Sequence, residues 1–246
     1  MFRRGLVILL ATFALCFLLP LALAGAWWAV QDRPGSWRDA DWSASGLLPD
    51  AADVPGAAIH ILAARTGGAK GAASVHSWLV WKPVGARSWS RADVVGWGLP
   101  VRIDAYAPDA RWYSNEPYYV GSVTGLEAAA LVPKVQEAIR DYPWNARGAY
   151  RIWPGPNSNS FVAHILREVP EIGVTLPPHA VGKDWMGDGL RVIRDAGGDV
   201  HLSAWGYAGL SVGPRTGIEI NLLGQAFGLD ILRPAVKLPG IGRVGV

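Results

Sequence analysis

Residues 155–166, GPNSNSFVAHIL, set two asparagines and two serines immediately ahead of an apolar pattern with helical period. A hydroxyl held at a helix N-terminus faces unpaired backbone N–H groups and the positive end of the helix dipole. That setting suits attack on a carbonyl, because the negative charge that develops has donors waiting for it. A serine at this turn is a candidate nucleophile, and Asn159, Ser160, Trp153 and His164 are candidate binding residues. The plainer reading is structural: Ser158, Asn159 or Ser160 simply caps the helix that begins at Phe161, after the rigid turn Pro154–Gly155–Pro156.

A serine nucleophile needs a base. Five histidines are available: His60, His76, His164, His179 and His201. His76 has the opposite strand parity to Val75, Ser77, Leu79 and Trp81, so its side chain should leave the sheet on the other face. His60 alternates against Ile59 and Ile61. His164 stands at i+4 from Ser160 and can pair with Glu168, another i+4 neighbour. That pair offers two ligands where a catalytic zinc site takes three, and no H-E-x-x-H occurs, so no metal and no cofactor are expected. P-loop, dinucleotide and G-x-S-x-G signatures are missing as well.

The elements that would hold these residues can be read from periodicity. Residues 57–64 and 74–83 carry β-rich runs around a glycine-rich turn, and residues 92–98 and 100–107 read as two further strands, a meander with one buried face. Residues 122–143 change to helical period, with Thr124 and Glu127 spaced as a capping box and Pro133 set to kink or restart the helix. A second helix runs from Phe161 to about Val169, and C-terminal strands follow at 200–212 and 217–224. The fold class expected is α+β, a mainly antiparallel sheet with two helices. Residues 1–30 form a transmembrane anchor or signal segment, 31–56 a Pro/Gly/Asp-rich tether, and 57–246 a single extracytoplasmic globular domain.

Gly5 to Val30 contains no charged residue and is long enough to span a bilayer. Arg3 and Arg4 before it predict a cytoplasmic N-terminus, with Trp27 and Trp28 at the far interface. The Ala22–Leu23–Ala24 pattern admits signal cleavage, yet the apolar run exceeds a signal h-region, which favours an uncleaved anchor that Pro20 could bend. The place expected is the bacterial inner membrane, single-pass, with the domain in the periplasm. Without Arg3 and Arg4, 21 basic residues face 20 acidic ones, which leaves no basic footprint for nucleic acid. The lone Cys16 lies in the apolar run, so the body holds no disulfide and no thiolate nucleophile.

HSWLVWKP, VVGWG, YRIWPGPNSNSFVAHILREVPEIGVTLPPHAVGKDW and GIEINLLGQAFGLDILRPAVKLPG together resemble the bacterial domain-of-unknown-function family 3750 over residues 57–243. HSWLVW and NSNSFVAHI further resemble permuted papain-like proteins of the NlpC/P60 and lecithin:retinol acyltransferase type. Those proteins carry a histidine at the start of a strand and, later, a cysteine opening a helix, often after an asparagine. That likeness implies catalytic roles for His76, Ser158 and Asn157, with serine where the family keeps cysteine. Two readings of function follow. One is a Ser/His-dependent hydrolase or acyltransferase acting on an envelope amide or ester; the other is a non-catalytic envelope module binding a glycan, lipid, peptide or protein through tryptophans.

Overall fold

The computed structural model describes residues 2–245. Helices α1 (Phe2–Phe13) and α2 (Leu19–Ala29) are joined by a π-helical turn, Ala14–Leu18, into one helix long and apolar enough to cross a membrane. The wide turn falls immediately before Pro20, whose ring and missing N–H disrupt regular i→i−4 bonding there.

The strands are β1 (Ala58–Arg65), β2 (Val75–Lys82), β3 (Ser90–Val94), β4 (Val101–Ile103) and β5 (Tyr118–Thr124), followed by β6 (Leu190–Arg194), β7 (Val200–Ala204), β8 (Ala208–Gly213), β9 (Gly217–Leu222), β10 (Gln225–Asp230), β11 (Ala235–Leu238) and β12 (Gly242–Gly245). Two antiparallel sheets result, one ordered β4-β3-β2-β1-β5 and one running as a seven-stranded meander from β6 to β12. Helices α3 (Gly125–Arg140) and α4 (Ser158–Glu168) lie between them in the chain. The class is therefore α+β with two antiparallel sheets rather than one.

The first sheet is buried on both faces, not one. Ile59, Ile61, Leu79 and Trp81 pack with Val132, Val135, Phe161 and Ile165 of the helices. Leu62, Trp78 and Val80 point the other way, onto Trp112. The second face is closed by the 31–56 stretch expected as a tether: Trp42, Leu47 and Leu48 pack on it, and Ser45 is bonded to Asp109. Each large apolar side chain sealed this way contributes about 1.5–3 kcal/mol. Helix α3 runs unbroken through Pro133, and Thr124 holds its N-cap position without a side-chain cap bond, so the expected capping box does not form.

The second sheet is inverted. Its polar face is the buried one: Ser203, Ser211, Glu219, Asn221 and Lys237 are sealed against the body. Lys183 reaches in to Glu219 at 2.6 Å, and Lys237 meets the same carboxylate at 3.0 Å. The opposite face is apolar apart from Arg194 at the β6 edge. Register aligns Val192, Leu202, Leu210, Ile220 and Phe227 in one row across it, and Val200, Val212, Ile218, Leu229, Val236 and Val244 in the next.

Candidate functional site

Strand β2 and the first turn of α4 are locked together by side-chain bonds. Ser77 Oγ donates to Asn159 Oδ1 at 2.8 Å, and Asn159 Nδ2 donates to the carbonyls of Val75 and Val181, both at 2.9 Å. The residue that caps α4 is Asn157, not Ser158, Asn159 or Ser160. Asn157 Oδ1 accepts from the N–H groups of Asn159 and Ser160, each at 3.0 Å, and Ser160 Oγ accepts from the Asn157 N–H at 2.7 Å. Asn157 Nδ2 also donates to the Ile152 and Val181 carbonyls at 3.1 Å, which ties the turn to the loop after α4. Gly182 makes that approach possible: its φ is +91°, and a Cβ there would stand 2.4 Å from Asn157 Nδ2.

This network has no use for Ser158. Its hydroxyl makes no hydrogen bond among the described residues, and its backbone N–H, unlike those of Asn159 and Ser160, is not taken by the cap. Ser158 instead lines a cleft of about 430 Å³, together with His76, Asn157, Asn159 and Trp153. Ser160 belongs to the capping box and is no part of that lining. His164 is also elsewhere, packed on Tyr142 and Trp144, where burial pushes its imidazole down to about 4.

His76 has the expected parity. It leaves β2 on the Trp112 face, away from the face where α4 packs, so the cleft joins it to Ser158 around the end of the strands, past Ser74, Val95 and Gly96. The imidazole stacks on Trp112 with ring centroids 3.7 Å apart and planes within 3°. Its Nε2 lies 3.5 Å from Asp93 Oδ2, near enough for electrostatic attraction but without a hydrogen bond, and neither ring nitrogen has a hydrogen-bond partner among the described residues. No hydrogen bond connects Nδ1 to the Ser158 hydroxyl in this resting arrangement. Burial depresses the imidazole below its ordinary value, only partly opposed by Asp93, so the ring is neutral and able to accept a proton near pH 7.

Asp93 is the buried carboxylate beside His76 that sequence reasoning missed. Burial alone would raise its carboxyl, but His76 and the Arg91 guanidinium outweigh that and hold it below the usual carboxylate range. Arg91 approaches through Nη2 at 2.6 Å and Nε at 3.1 Å, is itself buried, and lies over the Trp78 ring. A signal was present: Arg91 and Asp93 are two charges at i and i+2, flanking Ala92 in a short strand, and so share a face.

The family described as protein of unknown function DUF3750 matches residues 56–185. The chain belongs to this family. Its match ends at Trp185, short of residue 243 in the sequence reading, so the DUF3750 portion holds the cleft, β2, β3 and α4 while the inverted sheet lies beyond it. Neither a curated protein nor a solved structure matches the chain.

One further cluster bears on the expectation of no metal. Asp195, Asp199 and His201 each bring a ligand atom within 4.8 Å of the others. The Arg215 guanidinium bonds to Asp195 and Thr216 Oγ1 donates to Asp199 at 2.6 Å, so the carboxylates are already neutralised and bonded from within the fold.

Proposed function

We propose that this DUF3750 chain is a membrane-anchored hydrolase or acyltransferase that works on an ester or amide of the cell envelope, with Ser158 as nucleophile and His76 as base. The reading rests on one observation above others: a capped helix leaves its first serine unbonded, and that serine shares a cleft with a neutral imidazole backed by a buried carboxylate. Structure alone uses Asn157, Asn159 and Ser160 at this turn and leaves Ser158 free of that network.

Ser158 Oγ attacks the carbonyl carbon while its proton passes to His76 Nδ1. The carbonyl electrons move to oxygen, where the uncapped Ser158 N–H donates. Collapse expels the alcohol or amine, which takes the proton from His76, and water or an acceptor alcohol then releases the acyl group by the same route in reverse. Asp93 fixes the ring and supports the imidazolium; Asn157 and Asn159 position the helix turn. The gap between Ser158 and His76 must close by rotation of the hydroxyl or on substrate binding, as is common in resting sites. The order of a strand histidine followed by a helix-borne nucleophile resembles the permuted papain-like arrangement and is consistent with this assignment. So are export to the periplasm on an inner-membrane anchor and a substrate with an apolar acyl part, since Trp97, Trp112, Tyr150 and Trp153 line the cleft.

The test is labelling of the detergent-solubilised full chain with a fluorophosphonate. Wild type and Glu137→Gln, exposed on α3, should label, while Ser158→Ala and His76→Gln should not. Absence of labelling in wild type, or its persistence in Ser158→Ala, refutes the reading and leaves the aromatic cleft as a binding site without chemistry.

A further inference from the structure

We infer that the outward apolar face of the β6–β12 sheet is a bilayer-docking surface, seated in the lipid leaflet that contains the C-terminal half of the membrane helix. The two apolar rows described above are between 37% and 62% exposed at Val192, Leu202, Leu210, Ile220, Val200, Val212, Ile218, Leu229, Val236 and Val244. Strands about 4.8 Å apart, with about five residues of about 3.4 Å rise each, make this face roughly 29 by 17 Å, on the order of 500 Å². That is the size of the largest apolar patches carried by soluble monomers, which are commonly functional. A two-faced sheet that buries Glu219 and Lys237 while exposing leucine and valine is built for an apolar surrounding on its outer side.

The occupant is identified by what already touches the face. Phe17, in the π-helical turn of the membrane helix, packs on Phe227 at 6.1 Å, and Phe227 belongs to the first apolar row. Ala24 and Leu21 lie against Gly240 at the β11–β12 turn, where an added Cβ would come within 2.9 Å of the Ala24 Cβ. Trp28 is buried, and its Nε1 donates to the Gly68 carbonyl at 2.9 Å. The helix therefore lies along one side of the same apolar face. From Trp28 to Phe17 is eleven residues, about 16 Å of helix, roughly half the thickness of a hydrocarbon core of about 30 Å. With Trp28 at the interface, the Phe17–Phe227 contact carries β10 to acyl-chain depth, and the neighbouring rows go with it. Trp205 and Tyr207, both exposed in the β7–β8 turn, supply the aromatic rim that interfacial surfaces use. A consequence is that Gly67 and Lys70, which line the cleft beside Gly68, sit near headgroup level.

The proposal is independent of the chemistry assigned to Ser158. It is tested on the full chain with Cys16→Ala, carrying a single cysteine at Leu210 or Ile220, with Leu9 as a probe within the membrane helix and Glu137, exposed on α3, as a probe in water. Each is labelled with an environment-sensitive fluorophore and reconstituted into phosphatidylcholine/phosphatidylglycerol vesicles containing doxyl-labelled lipid. The expected result is quenching at Leu210 and Ile220 comparable to Leu9 and several-fold above Glu137, at acyl-chain depth. Quenching no greater than at Glu137 overturns the proposal. So does protection of Leu210 from both lipid and aqueous quenchers together with cysteine cross-linking between copies, which would assign the face to a second copy of the chain.

Discussion

Asp184 gives the sharpest quantitative test of how this fold treats charge. Part of the residue reaches the surface, but both carboxylate oxygens are buried and neither meets a hydrogen-bond partner. Burial drives its pKa up from 3.8 to about 6, with its own backbone N–H and the Lys183 charge offsetting only part of the cost. The folded-state value lies above the unfolded one, so the unfolded chain gives up this proton first. Stability is lost as pH rises from about 4 through about 6, and stays lost above that. A shift of about two units corresponds to about 3 kcal/mol. Asp184→Asn keeps the shape and removes the charge, and should raise stability at pH 7.5 by up to that amount, or about 6–12 °C in Tm for a chain of this length. At pH 4 the two proteins should melt together. The assay is thermal unfolding of the detergent-solubilised full chain at both pH values. A variant less stable than wild type at pH 7.5 would refute the reasoning, because it would mean that the carboxylate is paired rather than orphaned.

If His76 is the base, fluorophosphonate labelling should persist well below pH 6.5 and fall only as the depressed imidazole protonates, a limb visible in the labelling rate against pH. Trp112→Ala removes the ring stacked on His76 and so part of its burial; the acid limb should move up toward 6.5, with slower labelling at pH 6 and a smaller change at pH 8. Gly71→Val should undock the N-terminal apolar helix from the body, because a Cβ at Gly71 would stand 2.1 Å from the Trp28 ring. Limited proteolysis should then cut the 31–36 segment faster than in wild type, while an unchanged digestion rate would show that Trp28 is not held there.

Much of the local order was legible in the sequence. The period-2 runs marked β1 and β2, the 3.6-residue period marked α3 and α4, and a long uncharged run marked the N-terminal apolar helix, because each depends on side chains close together along the chain. The parity of His76 was readable for the same reason. Serine and asparagine clustered after a proline turn announced a helix start, but four polar residues compete there, and Asn157 won because Ile152, Val181 and a close-approaching Gly182 lie within reach of its amide.

Other features depended on residues distant in sequence. Asp93 became the partner of His76 through the β2–β3 pairing, and Trp112 closed over the imidazole from a loop thirty-six residues further along the chain. Alternation in β7 to β10 shows that two faces differ; it cannot say which one turns inward. That was decided by Lys183, which reaches from the loop after α4 to Glu219, and by the N-terminal apolar helix, which lays Phe17 on the opposite side. Periodicity is a property of one segment, whereas burial is a property of what docks against it, and only the tertiary structure brings the two together.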